Sequence, residues 1–310
     1  MKRVVIASLL AQAALGAAWA QSSVTLYGRI NVTAESLDVG GVKTKQLVDN
    51  ASRLGFKGVE DMGGGLKAGF VLEHRFGVDT GLPAATFWAG QSEVYLSGGF
   101  GTVRLGQFTS EAYFATADWI GWNNHDTGTS SDALYAFLGR SANKVAWRAP
   151  EFVSGLGMEV AISLGEGGGR VRQYDAAVNY NAGPLSLGAG YQSADDSTQF
   201  ALRGSYELGP AMLGAYLQRH DDAVNGSRTI FRVAGMFTAG ASEFHANIGK
   251  AGEYARLPGS DATQWTLAYN YNLSKRTKVY AWYSKVSDDA GVSAAGGDLS
   301  SLAVGVRHNW

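Results

Sequence analysis

The polar residues with the most distinctive setting in this sequence are five cations in segments where polar and apolar residues alternate. They are Arg53, Lys57, Arg75, Arg104 and Arg148, and we call them the basic wall. Because successive side chains of a β-strand point to opposite faces, the apolar neighbours of each cation assign it to the polar face of its strand. Cations fixed along a narrow, water-filled space would attract, repel or orient ions and polar molecules without transforming them. For any single residue, the alternative is a cation at a strand end that reaches toward lipid headgroups.

A second candidate group is acidic and lies in the long segment from Thr109 to Gly139, which contains no Lys or Arg. Its acids are Glu111, Asp118, Asp126 and Asp132. The segment also carries many aromatic and apolar residues, so we expect it to pack against a wall of the protein. Ser131 and Asp132 predict the start of a short helix. An acidic segment opposite the basic wall would create a transverse field, whereas the open alternatives are solvated charges on an external loop and a contact between subunits.

The elements that would position these groups are short strands joined by tight turns. Breaks rich in Gly, Pro or Asn recur about 25 to 35 residues apart, with one longer gap, and each interval can hold two strands of ~10 residues and a loop. The breaks fall at residues 61–65, 98–101, 150–155, 181–184, 208–210, 239–241 and 273–276. Seven turns on one side, with both chain ends on that same side, predict sixteen strands.

The two ends of the chain agree with this interpretation. Residues 1–20 combine a charged start, an apolar run and the sequence Ala18-Trp19-Ala20, which predict a signal peptide cleaved after Ala20. The alternative is an uncleaved anchor, although the apolar run is shorter than a spanning helix requires. In the last ten residues, one face of a strand carries Leu302, Val304, Val306, His308 and Trp310.

We therefore expect residues 21–310 to form one domain, an all-β transmembrane barrel of sixteen antiparallel strands. Such a barrel pairs its last strand with its first and leaves no open edge in the membrane. A soluble all-β sandwich would also show alternating strands and is the alternative fold.

Charge and motifs argue against several classes of function. Without Lys2 and Arg3 the chain has 24 basic and 27 acidic residues, a formal charge of −3, which gives no electrostatic footprint for nucleic acid. The five histidines share no metal-ligand spacing, and no hydrolase or phosphate-loop motif occurs. We expect no catalysed reaction, no cofactor and no bound metal.

Several strings along the chain resemble the general porins of Gram-negative bacteria, in particular their β-proteobacterial branch. They are residues 23–28, 52–61, 63–68, 96–102, 273–277 and 306–308. The resemblance implies a trimeric diffusion channel whose third external loop folds into the lumen. It also implies that Trp310 is the recognition signal for the barrel-insertion machinery. The sequence departs from the family where Trp310 replaces the usual Phe, and where Gln107 and Ala146 replace a frequent Arg.

The sequence thus predicts a passive outer-membrane porin for small hydrophilic solutes and ions. Because the basic groups sit on rigid strands, we expect mild anion selectivity. The expected partners are outer-membrane lipid, two further copies in a homotrimer, and the insertion machinery. Two alternatives stay open: an anion channel in which Arg53, Arg75, Arg104 and Arg148 bind selected solutes, and a barrel that serves adhesion or structure.

Overall fold

The computed structural model describes residues 23–118, 128–165 and 172–310, and in these residues the chain forms seventeen strand segments and one short helix. The segments are β1 Ser23–Val39, β2 Val42–Asp49, β3 Arg53–Gly63, β4 Leu66–Arg75, β5 Gln91–Gly98, β6 Gly101–Thr109, β7 Arg140–Arg148, β8 Leu156–Ser163, β9 Gln173–Ala182, β10 Leu185–Ala194, β11 Ser197–Leu208, β12 Ala211–Asp222, β13 Gly226–Ala239, β14 Ser242–Ala251, β15 Ala262–Asn272, β16 Thr277–Ser287 and β17 Leu299–Asn309. The helix, α1, spans Glu111–Ala115. No helix in the described ranges is long and apolar enough to cross a membrane.

The segments β2 and β3 are two parts of one barrel strand, so the sheet has sixteen strands. Both parts pair with β1, which uses residues 32–39 for β2 and residues 23–29 for β3. At the interruption Ala51 adopts a positive φ of 60°. Asn31 Nδ2 donates to the carbonyl oxygen of Asn50 at 2.8 Å, and this side-chain hydrogen bond satisfies a backbone group that is not paired in the sheet. On its other side β1 pairs antiparallel with β17 along residues 29–39. The sheet therefore closes, and the predicted sixteen-stranded antiparallel barrel is confirmed.

Tight turns join the strands at one end of the barrel, at all seven predicted positions. The connections are residues 64–65, 99–100, 149–155, 183–184, 209–210, 240–241 and 273–276. Gly183 and Gly209 begin two of them with φ of 56° and 60°, a left-handed backbone that glycine adopts without a steric penalty. The connections at the opposite end include the longest, residues 110–139, which we call loop three, and residues 252–261, which we call loop seven.

The two faces of the strands differ in exposure as the alternation predicts. On β12, Leu213 and Leu217 are 51% and 53% exposed on the outer face, whereas the inward-facing Gln218 is fully buried. On β17 the outward side chains Leu302, Val304 and Val306 are also exposed. An apolar exterior of this kind suits contact with lipid.

The end of the chain is part of the closure. The backbone N–H of Trp310 donates to the carbonyl oxygen of Gly28 at 3.2 Å. The indole lies against Gly28 on the outer face, so closely that a Cβ at that position would overlap the ring. Trp310 therefore extends the seam between the first and last strands by one residue.

The described parts of loop three lie inside the barrel, as the resemblance implied. Its helix α1 packs on β9 and β10, where Gly188 and Gly190 have no side chain to keep the helix away from the wall. From the neighbouring strand, Arg203 Nε donates to the carbonyl oxygen of Ala115 at 2.9 Å. Further along the loop, Thr129 Oγ1 bonds to Ser301 Oγ of β17 at 2.8 Å. The described parts of the loop are thus bound to inward-facing groups on different sides of the lumen.

The expected helix after Ser131 and Asp132 is wrong. Ser131 and residues 133–135 form bends, and the helix of the loop lies near its start, where Ser110 Oγ accepts from the N–H of Ala112. Two glutamines of the barrel wall explain the difference, because their side chains form hydrogen bonds with backbone N–H groups that would otherwise be paired within a helix. Gln264 accepts from the N–H of Ala133, and Gln218 accepts from the N–H of Ala136, both at 2.9 Å.

Candidate pore constriction

The arginines of β3 and β4 share one buried carboxylate. Arg53 and Arg75 are directly opposite in the register of the two strands, and both point inward. Arg75 Nε lies 2.8 Å from Glu73 Oε1, and Arg53 Nη1 lies 3.8 Å from the same oxygen. The hydroxyl of Tyr27 donates to Glu73 Oε2 at 3.3 Å. Glu73 therefore holds two like charges side by side on the lumen surface.

Arg104 is enclosed by carboxylates from two other strands. Its Nη2 lies 2.8 Å from Glu93 on β5, and its Nη1 lies 2.9 Å from Glu159 on β8. The guanidinium stacks on the ring of Phe108, with Cζ 4.0 Å from the ring centroid. Glu159 is fully buried at its side chain, and its pairing offsets the cost of removing that charge from water.

Arg148 joins the wall to loop three. Its Nη2 lies 2.8 Å from Glu111 Oε2 on α1 and 2.9 Å from Glu159 Oε2. The Arg148 side chain is 47% exposed, so this cation faces open space in the lumen while it holds the loop. Burial raises the pKa of the Glu111 carboxyl, and the charge of Arg148 opposes that rise.

Lys57 lies apart from the four arginines of the basic wall. It is four residues from Arg53 along β3, a distance of ~13 Å at ~3.3 Å per residue, and its Nζ lies 5.5 Å from the ring centroid of Tyr27. In the described ranges no carboxylate lies within ion-pairing distance of Lys57. The structure therefore brings the four arginines into ion-pair clusters and leaves Lys57 separate.

The acids of loop three are divided between different sides of the lumen. Glu111 is at the basic wall, but Asp132 lies at the opposite wall, where its Oδ1 is 2.7 Å from Arg232 Nη2 of β13 and it accepts a short hydrogen bond from Tyr216. Asp118 follows α1 and is exposed. Asp126 lies outside the described residues.

Sequence analysis did not identify two of the carboxylates in these clusters, Glu159 and Asp175. The four arginines described above, together with Lys144, a buried residue of β7 whose Nζ lies 2.5 Å from Asp175 Oδ2 of β9, meet five carboxylates. These are Glu73, Glu93, Glu111, Glu159 and Asp175. Glu159 could have been found from its apolar neighbours on β8, because alternation places it inward. Its pairing with cations on β6 and β7 depends on the register of three strands, which the local pattern does not give.

The opposite wall also carries arginines that sequence analysis did not select as site residues. Arg203 of β11 and Arg228 and Arg232 of β13 point inward and are buried. Alternation signals them, since Arg232 stands between the outward-facing Phe231 and Val233. This wall binds backbone carbonyl groups of loop three and the carboxylate of Asp132, so charged groups face the lumen from both sides of the loop.

Comparison with known proteins agrees with this architecture. A family model described as Gram-negative porin matches residues 7–291. The chain is 33% identical to outer membrane porin protein 32 of Delftia acidovorans over 358 aligned positions, which cover 99% of each protein. It is 32% identical to the major outer membrane protein P.IB of Neisseria meningitidis serogroup B over 198 positions, covering 59% of this chain and 56% of that protein.

Solved structures show the same fold. An anion-selective porin from Comamonas acidovorans superimposes with a TM-score of 0.77 at 27% identity, covering 94% of this chain and 100% of the other. A loop-deletion mutant of OmpT, an outer membrane protein of Vibrio cholerae, gives a TM-score of 0.76 at 16% identity, covering 93% of this chain and 99% of the other, and supports the fold alone. The closed sixteen-stranded barrel, the matching family model and the relative that aligns from end to end lead to one conclusion: this chain belongs to the Gram-negative porin family and is an outer-membrane channel.

Proposed function

We propose that this porin is a general diffusion channel for small hydrophilic solutes and ions, with a mild preference for anions. The observation that carries the proposal is the ion-paired lining beside loop three, where five cations and five carboxylates from strands β3 to β9 and from α1 form ion pairs. Fixed charges of both signs orient a passing dipole without holding it.

The same pairing favours diffusion over selective binding at the basic wall. Arg53, Arg75, Arg104 and Arg148 each contact a carboxylate already, so an entering anion would compete with a partner that does not leave. This supports a general pore over an anion channel that saturates at these four arginines.

The preference for anions is supported by the charges outside the paired clusters. Lys57 and Arg228 each lack a carboxylate within ion-pairing distance among the described residues, and both face inward. The inward carboxylate of Glu35 counts in the other direction, because its partners among the described residues are hydroxyl groups such as that of Thr33, whose Oγ1 donates to Glu35 Oε1 at 2.7 Å. The resulting surplus of positive charge is small. The structural relative described as an anion-selective porin supports the same direction.

The proposal includes the path to the membrane and the assembly. We infer that the mature chain starts at Gln21 after removal of a signal peptide, forms one barrel domain and assembles as a homotrimer. The terminal Trp310 would be read by the insertion machinery. Its place on the outer face of the closing seam supports this role, because the ring is accessible beside the last strand of the barrel.

Conductance in planar lipid bilayers tests the diffusion mechanism. The protein, extracted from outer membranes as folded trimers, should give steps whose conductance rises in proportion to KCl concentration. A conductance that saturates at millimolar KCl would instead show a binding site on the conducting path and contradict a general pore.

A further inference from the structure

A pair of buried basic residues lies at the loop-bearing end of the opposite wall. His220 of β12 and Arg228 of β13 are directly opposite in the register of the two strands, and both point inward. Arg228 is 3% exposed and His220 is 6% exposed. Such cross-strand neighbours have Cβ atoms ~5 Å apart, so the two side chains can contact the same small molecule.

Most of the hydrogen-bonding capacity of Arg228 is unused. Its Nη2 donates to the carbonyl oxygen of Leu134 in loop three at 3.4 Å, and its Cζ lies 4.2 Å from the ring centroid of Tyr254. In the part of the chain that the structure describes, Nε and Nη1 have no hydrogen-bond partner. A buried guanidinium with free N–H groups and no carboxylate is costly, which makes an anion the group that would stabilise it best.

His220 adds a second unused donor beside the arginine. Its Nδ1 lies 3.0 Å from the hydroxyl of Tyr254, while its Nε2 has no partner among the described residues. Burial raises the pKa of Tyr254, so the hydroxyl keeps its proton. When that proton is donated to Nδ1, the imidazole carries its own proton on Nε2 and presents a free N–H donor.

The neighbouring acids are not available to neutralise the pair. Asp222 accepts the N–H groups of Val224 and Asn225, at 3.1 and 2.7 Å, in the turn after β12. Asp221 points outward and is exposed, and Asp132 is bound to Arg232, four residues along β13. These acids modify the electrostatic potential at the pair without contacting it.

Gln199 of β11 lies next to His220 and also has a free Nε2. Its cross-strand neighbour on the other side, Gln192 of β10, has a free Oε1. Because these two amides can satisfy each other by a small rotation, we do not count Gln199 among the donors.

Tyr254 covers the pair, because its ring stacks on Arg228 and its hydroxyl bonds to His220. It belongs to loop seven, which crosses the end of β13 through hydrogen bonds from the N–H of Ala255 to the carbonyl oxygen of Ser227 at 3.0 Å, and from the N–H of Arg256 to that of Asn225 at 2.9 Å. We propose that Arg228 and His220, beneath Tyr254, form a binding site for a small oxyanion, a carboxylate or inorganic phosphate, at the external mouth of the channel. The site rests on the proposed anion preference and would concentrate anions ahead of loop three.

Binding of inorganic phosphate to folded trimers in detergent tests the site. Phosphate is titrated into wild type and Arg228→Gln in a calorimeter at neutral pH, and conductance in KCl is recorded with the same samples. Wild type should bind phosphate saturably. The phosphate affinity of Arg228→Gln should be lower by about tenfold or more, because this variant loses charge-assisted hydrogen bonds. His220→Phe should weaken binding in the same direction.

Arg219→Gln is the matched control. Arg219 precedes His220 on β12 but points outward, where it is bonded to Thr229 Oγ1 at 3.0 Å. The substitution removes the same charge from the neighbouring strand β12, but outside the lumen, so the phosphate affinity of this variant should equal that of wild type. If Arg228→Gln fails to fold, phosphate is titrated into Arg228→Lys instead, which keeps the charge.

Two results would overturn the site. If wild type conducts in KCl but binds no phosphate, the pair is a structural link between loops three and seven and the site is rejected while the channel function stands. If Arg219→Gln and Arg228→Gln weaken binding equally, the effect is one of net charge and the site is also rejected. A preparation that does not conduct contradicts the proposed function itself.

Discussion

At the scale of single residues, the lumen depends on shared carboxylates. Glu73 serves Arg53 and Arg75, and Glu159 serves Arg104 and Arg148. The electric field of each arginine in the lumen is therefore reduced by the charge of the carboxylate that it shares. Removal of one cation leaves its carboxylate with a single partner and makes the local charge more negative by one unit.

Arg75→Gln should make the channel less selective for anions. A unit charge ~7 Å from the ion path in a water-like dielectric changes the energy of an ion by ~0.6 kcal/mol, which corresponds to a two- to threefold change in permeability ratio. The change should be largest near 10 mM salt, where the Debye length is ~30 Å. Zero-current potentials in a KCl gradient measure it.

Lys250→Gln provides the comparison for Arg75→Gln, because Lys250 is exposed on the outer face of β14. It should leave the zero-current potential at the wild-type value. If Arg75→Gln has no effect at low salt either, Arg75 does not face the conducting path, and the inward assignment of β4 has to be withdrawn.

The selectivity should also depend on pH through Glu111. Since burial raises the pKa of this carboxyl, it takes up a proton at higher pH than an exposed glutamate when the solution is acidified from neutrality. Loss of that negative charge leaves Arg148 less compensated, so the preference for anions should increase as the pH falls. Zero-current potentials recorded between pH 7 and 5 should show the increase in wild type.

In Glu111→Gln the preference for anions should be high at pH 7 already and change little over the same range. An unchanged pH dependence in this variant would assign the titration to another carboxylate. A wild-type preference that falls on acidification would have the wrong sign for any carboxylate in the lumen.

At the scale of elements, the barrel strands follow from local pattern and loop three does not. A period of two places residues such as Leu213 and Gln218 on opposite faces whatever their distant neighbours are, and a glycine such as Gly183 fixes a turn locally. The bends at Asp132 depend on Gln264, which is far along the chain and provides hydrogen bonds that no local signal reveals. The pairing of Glu159 with Arg104 likewise requires the register of β6, β7 and β8.

Gly188→Ala should displace loop three from the wall. A Cβ at this position would overlap the carbonyl oxygen of Ala115 and approach the Arg203 guanidinium, so α1 has to shift at a cost of ~1–3 kcal/mol in packing. A loop that leaves the wall changes the cross-section of the pore, which single-channel conductance detects, and exposes its backbone to added protease.

Gly157→Ala is the control for this substitution. Gly157 is also in a barrel strand, but an added Cβ there meets no atom within 4 Å. The control should match wild type in conductance and protease resistance. If Gly188→Ala matches wild type in both measurements too, α1 is not held against β10 in the membrane.

At the scale of the whole molecule, closure of the barrel depends on the first and last strands, which are the most distant parts of the described chain. Residues 29–39 pair with residues 299–309, and Trp310 continues the seam over Gly28. The alternation in the last ten residues predicted this strand, and its partner followed from the requirement that a membrane barrel has no edge. Once the strand order is known, it determines which inward-facing charged residues are neighbours.

Deletion of Trp310 should prevent assembly. The last strand loses the ring that covers Gly28 and, in our proposal, the signal for insertion, so the chain should accumulate as unfolded monomer in the periplasm. Trp310→Phe keeps a terminal aromatic and should yield folded trimers. Gel mobility of unheated and heated outer membranes distinguishes the states, and trimers resistant to SDS in the deletion variant would contradict the role of Trp310.

The sign of the zero-current potential of the wild-type channel tests the central claim most directly. The claim is that a water-filled barrel with ion-paired walls keeps a small surplus of positive charge in its lumen. In a tenfold KCl gradient across a bilayer at neutral pH, the account predicts a zero-current potential with the same sign as the chloride equilibrium potential. Its magnitude should grow as both concentrations are lowered and screening weakens. A zero-current potential with the sign of the potassium equilibrium potential, or one that does not change with ionic strength, would contradict the claim.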